Sequence, residues 1–135
     1  MTALLLASPA RAEDQITVIT PDAVRYQADA KALDIQVAVV SDNPEDGFYT
    51  LRVKFPQDAE TPPHYHPDTR TVTVISGTYY FGEGEIFTAN NMQACPPGII
   101  IVVPAGKPHF SWAQDGEVII HEAGIGPTGV TLANH

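Results

Sequence analysis

Short runs of β-branched and aromatic residues, each broken by turn chemistry, constrain this chain more than any other feature. "QITVIT" (15–20), "LDIQVAVV" (33–40), "FYTLRVKF" (48–55), "TVTVIS" (71–76) and "TYYF" (78–81) read as strands, as do "IIIVV" (99–103), "HFSW" (109–112) and "EVIIH" (117–121). Between them stand "SDNPEDG", "GEGE", "CPPG", "PAGKP" and "AQDG", rich in the residues that reverse a chain. Only residues 22–32 and 87–94 leave room for a helical turn. Many short strands at this spacing predict an all-β antiparallel sandwich or barrel. Alternation then puts Tyr49, Leu51, Val53 and Phe55 on one face of their strand and Thr50, Arg52 and Lys54 on the other.

Length and charge narrow the function classes. A chain of 135 residues has the size of one domain, expected over 13–135. Seven Lys+Arg against sixteen Asp+Glu give a net charge of −9. No basic cluster is present to neutralise phosphates, so nucleic acid and anionic membrane surfaces are excluded as expected partners. Cys95 is the one cysteine, which rules out an internal disulfide. Its neighbours "QACPPG" offer no histidine or cation to activate it, so it is read as a small buried hydrophobe. The start "MTALLLASPARA" runs from a short apolar stretch into Ala10-Arg11-Ala12, small residues at the spacing of a signal-peptidase site. Residues 1–12 are therefore read as the remnant of a signal peptide, which predicts a periplasmic or secreted protein. A cytoplasmic tail is the alternative. No later segment is long and apolar enough to span a bilayer as a helix.

The histidines carry the chemistry. In "TPPHYHPDTRTVTVISG", His64 and His66 are two apart, so on an extended strand both imidazoles point to one side, about 6 to 7 Å apart along the chain. In "GIIIVVPAGKPHFSWA" a buried strand ends in the Pro104-Ala105-Gly106 turn and His109 opens the returning strand. Three neutral imidazoles that converge on a divalent ion leave positions open for water or substrate, the arrangement of a catalytic metal site.

These residues resemble the two motifs of the cupin family. Gly98, Pro104, Gly106 and His109 fill the second motif without a gap, and His64, His66 and Gly77 match the first. The glutamate of the first motif is replaced by Arg70 or, at the longer spacing, by Thr71. The upstream glycine is absent, and Ala113 stands where an asparagine often closes the second motif. The resemblance implies a cupin double-stranded β-helix, a jelly-roll barrel holding a divalent transition metal (Mn, Fe, Ni or Zn) near one mouth through His64, His66 and His109. The chain is similar to small bacterial cupins with "HPD" after the second histidine and "PAGxPHF" in the second motif. It is also similar in spacing to manganese-dependent hydroxynitrile lyases, which carry glutamine where Arg70 stands. Those enzymes use a histidine twelve residues after the last ligand in proton transfer, and His121 has that spacing here. Many cupins pair through an outer sheet face, so a homodimer is compatible with the resemblance, although no residue here specifies one.

A guanidinium cannot ligate a metal. Three outcomes follow for Arg70. It pairs with a carboxylate such as Asp68 or Glu122 beside a three-histidine site; it lines the cavity and binds an anionic substrate; or no metal binds and the histidines are satisfied residues of a polar barrel mouth. His121 alternates with Ile119, which is read as facing the barrel interior, either as a proton carrier or as a packed histidine. Of Tyr79 and Tyr80, one is expected at the cavity and the other on the outer surface. The resulting expectation is a metal-dependent enzyme, of oxygenase or lyase type, acting on a small polar organic molecule, with Arg70 and His121 as catalytic residues. The alternative is a non-catalytic periplasmic cupin that binds a small anionic ligand at Arg70.

Overall fold

The computed structural model describes residues 15–29, 32, 34–42 and 45–133. The leader read at 1–12 and His135 lie outside them. Among the described residues the chain forms eleven strands: β1 (Gln27–Ala28), β2 (Gln36–Asp42), β3 (Phe48–Phe55), β4 (Glu60–Tyr65), β5 (Arg70–Ser76), β6 (Tyr79–Glu83), β7 (Gln93–Cys95), β8 (Ile100–Val103), β9 (His109–Trp112), β10 (Val118–Ile125) and β11 (Thr131–Leu132). They make two antiparallel sheets, a larger one ordered β1-β2-β3-β10-β5-β8 and a smaller one ordered β11-β4-β9-β6-β7. This is the expected jelly roll.

The core lies between the sheets. On β3 the buried set is Tyr49, Leu51, Val53 and Phe55, as alternation requires. Val72 and Val74 of β5, Val118 and Ile120 of β10, and Tyr79 and Cys95 complete it from both sides. Cys95 is free and buried as read.

Three elements depart from the sequence reading. "QITVIT" forms no strand: Ile16 is 99% and Val18 85% exposed, and the edge beside β2 is taken by β1. Apolar alternation without a neighbouring strand has nothing to bury against. Strand β4 was not read, because Pro62 and Pro63 remove two ladder donors. The pairing with β9 steps over them, jumping register between Thr61 and His64. Among the described residues, the helical turns expected in 22–32 and 87–94 are single 3₁₀ turns, at Pro21–Ala23 and Ala89–Asn91.

Gly77 turns the chain from β5 to β6 at φ +78°, and a Cβ there would lie 2.2 Å from the Glu117 carbonyl oxygen. Gly98 has φ +94° with open space around it. Gly98→Ala is therefore expected to cost only the backbone strain, on the order of 1 kcal/mol, whereas Gly77→Ala adds a backbone clash and should cost about 3 kcal/mol. Urea unfolding of the two variants checks the difference, and equal losses would contradict it.

Candidate metal centre

The pairing of β4 with β9 sets His64 directly opposite His109, and His66 follows two residues after His64 on the same side. The three rings gather with centroid separations of 4.3 Å (His64 to His109), 5.0 Å (His64 to His66) and 5.1 Å (His66 to His109). Each Nδ1 meets a backbone carbonyl: Pro62 at 2.7 Å for His64, Gly129 at 2.7 Å for His66, Lys107 at 2.9 Å for His109. A carbonyl only accepts, so each Nδ1 carries the proton and each Nε2 keeps its lone pair. One ligating atom from each ring lies within 4.8 Å of the others. The Pro104-Ala105-Gly106 turn is tied to the same place, since the Gly106 N–H donates to the His66 carbonyl at 2.8 Å. Burial lowers the pKa of all three histidines, helped by Arg70, to about 3 for His66 and about 4 for His109. Near neutral pH they are three uncharged imidazoles, a donor set that fits a divalent transition metal.

Arg70 enters from the facing sheet. On β5 it alternates inward with Val72 and Val74, and its side chain is 5% exposed. Its backbone neighbour across β10 is Gly124, and Tyr49 lies beyond on β3. A Cβ at Gly124 would meet the Tyr49 hydroxyl at 2.6 Å and an Asp68 carboxylate oxygen at 2.7 Å. The bare glycine is what lets Tyr49 reach across and donate to Asp68. Glu122, two residues back on β10 and also inward-facing, takes Arg70 Nη1 at 2.9 Å. Nη2 reaches Asp68 at 3.4 Å and the Thr128 hydroxyl, which itself donates to Asp68 at 2.5 Å. Arg70 Nε is buried with no acceptor among the described residues. Burial pushes Glu122 above the usual carboxylate range, with Arg70 opposing. Burial acts the same way on Asp68, but hydrogen bonds from Thr128 and Tyr49 together with Arg70 outweigh it and hold Asp68 low. Burial and the Asp68 contact push Tyr49 up to about 12. Arg70 thus pairs with both carboxylates named for it, and it stays on the cavity wall as well.

His121 is a correction. The inward residues of β10 are Ile120, 1% exposed, and Glu122, so His121 faces outward in a row with Arg52 and Thr73. Its Nδ1 accepts from Arg52 Nε at 3.2 Å. The reading took Ile119 as the inward neighbour, one residue out of phase. The carboxylate of Glu122 therefore holds the place on the cavity wall expected of His121. Of the tyrosines, Tyr79 lines the cavity and Tyr80 turns out to Asp115 at 2.7 Å. Thr128 and Gly129 were not anticipated, because no motif marks a loop that arrives from a distant part of the chain. The cavity between the sheets measures about 580 Å³.

Several solved structures share this fold. The polyketide cyclase RemF from Streptomyces resistomycificus matches with TM-score 0.74 and 17% identity over 87% of this chain and 85% of that one. An uncharacterised protein with a double-stranded β-helix domain from Klebsiella pneumoniae matches at 0.70 and 18% over 90% and 100%. An RmlC-like cupin from Shewanella frigidimarina matches at 0.64 and 13% over 82% and 91%. No family model and no curated protein sequence matches the chain. The likenesses show the cupin double-stranded β-helix fold.

Two outcomes are expected of this geometry. His66 and His109 have folded pKa values below the ordinary 6.5, so between about pH 4 and 6.5 the unfolded chain binds more protons than the folded one. Stability of the metal-free protein then falls as pH drops through that window, by up to about 1.4 kcal/mol per pH unit for each histidine. Urea unfolding across pH measures it, and His66→Gln/His109→Gln should flatten the slope. Arg70→Leu strands two buried carboxylates and should cost about 3–5 kcal/mol, with Arg70→Leu/Glu122→Leu recovering part of the loss. A double variant no more stable than the single one would contradict the pairing.

Proposed function

We propose that this cupin-fold chain is a metal-dependent enzyme, of lyase or oxygenase type, acting on a small organic molecule at His64, His66 and His109. The observation that carries the reading is the capture of all three Nδ1 protons by backbone carbonyls, which leaves the three Nε2 lone pairs free in a cluster whose ligating atoms lie within 4.8 Å of one another. A divalent Mn, Fe, Ni or Zn bound there supplies Lewis acidity, or redox chemistry if it is iron. The protein's own contribution is to hold and dry the reactants. The apolar walls exclude water from the reacting group. Arg70, whose Nη1 and Nη2 already hold Glu122, Asp68 and Thr128, attracts an acidic group of the substrate by its charge. Glu122, buried and pushed up in pKa, replaces His121 as the group placed to take or return a proton. The same fold in a polyketide cyclase is in keeping with an organic substrate.

A second reading is supported by Arg70 in the motif position of a fourth acidic ligand: a non-catalytic protein that captures a small anion. Elemental analysis by mass spectrometry on untagged protein, beside His64→Ala/His66→Ala, separates the two. The enzyme reading expects close to one transition metal per chain, lost in the variant, with His121→Ala retaining full metal and turnover. No uptake by either protein after reconstitution would sink the metalloenzyme and leave the anion binder.

A further inference from the structure

The cavity is chemically two-ended. The histidines, Arg70, Glu122 and Thr128 form one polar cluster, Asp29, Thr61 and Tyr79 add polar groups, and most of the remaining lining is carbon from Val37, Leu51, Val53, Phe55 and Ile120 of the larger sheet, with Phe81 stacked on His109. Val130, between Thr128 and β11, and Leu132, on β11 opposite His64, add carbon on the side of the smaller sheet. At about 580 Å³ the space falls within the size class that surrounds drug-sized ligands. A two-carbon acid would occupy a small part of it and leave the hydrocarbon wall in contact with water, which is the costly arrangement. The polar end also has a preference. Its imidazoles are neutral, so a bound dication keeps its whole charge for the ligand. Arg70 Nε is a buried donor still lacking an acceptor. The carboxylates of Asp68 and Glu122 are engaged by Arg70. Asp29 lines the cavity too, and Arg70 is the one guanidinium or ammonium among the described lining residues, so an acidic ligand group belongs beside Arg70.

We infer that the ligand is an amphipathic anion: one carboxylate or enolate oxygen group at the Arg70 side of the histidines, and a rigid apolar body of about two fused rings lying along the wall of β2, β3 and β10. The inference replaces the small polar molecule expected from sequence, and it deepens the proposed function, on whose site it rests. Glycolate, salicylate and 3-hydroxy-2-naphthoate carry a comparable hydroxy-acid head on a growing apolar body. Titrated calorimetrically into the zinc-loaded protein, each step in body size should tighten binding by about tenfold, the gain from burying another ring face. Val37→Leu and Val37→Phe crowd the apolar end at a half-buried residue of β2 that pairs with Val53, on the sheet opposite the histidines. With the thermal midpoint kept, at least one of them should weaken the naphthoate by about tenfold and leave glycolate unchanged. Equal affinity for the three acids, or equal weakening of all three in both variants, overturns the inference. The same titrations on metal-free protein, with zinc content measured in parallel, keep the two claims apart. A size ladder that survives where no zinc is taken up sinks the metal reading and supports this one; a flat ladder on fully loaded protein does the reverse.

Discussion

A guanidinium withdrawn from water between two apolar sheets has to be answered where it stands, and Arg70 organises much of the molecule around that requirement. Glu122 and Asp68 meet its charge, Thr128 shares a hydrogen bond with both Arg70 and Asp68, and Tyr49 reaches Asp68 over the bare backbone of Gly124. These partners come from β3, β10, the turn before β5 and the loop after β10. One buried cation thus fixes the relative placement of segments that hydrophobic contact alone leaves free to slide.

The three histidines follow a different logic. Their geometry is set in the smaller sheet by strand register, by a proline pair that forces β4 and β9 to skip, and by carbonyls that hold each ring by its far nitrogen. The Arg70 guanidinium on one wall and uncharged imidazoles on the other are consistent with each other, since Arg70 helps keep His66 and His109 unprotonated. The two walls therefore reinforce the same state of the site.

Much of this was legible in the residues. The His64 and His66 spacing, the turn before His109 and the alternation along β3 all reappear in space, because each is a local rule with a short reach. What escaped had a longer reach. His121 was placed on the wrong face because three consecutive apolar residues, Val118 to Ile120, give alternation no phase; the burial of Ile120 and the pairing of Glu122 with Arg70 settle it. "QITVIT" has the composition of a strand and no partner to make it one. Strand β4 hides behind prolines, and Thr128 and Gly129 belong to a loop whose position depends on where β11 docks.

That docking has an implication for how the site comes into being. Leu132 and Thr131 pair with His64 and Tyr65, Ala133 bonds to Pro63, and Gly129 fixes the His66 ring. In synthesis this segment leaves the ribosome after every strand it closes over. A nascent chain lacking it holds His64 and His109 but has no carbonyl to orient His66 and no Thr128 beside Arg70. Assembly of the three-histidine cluster with its His66 ring held is then a late event in folding, later than the pairing of the strands that carry the histidines.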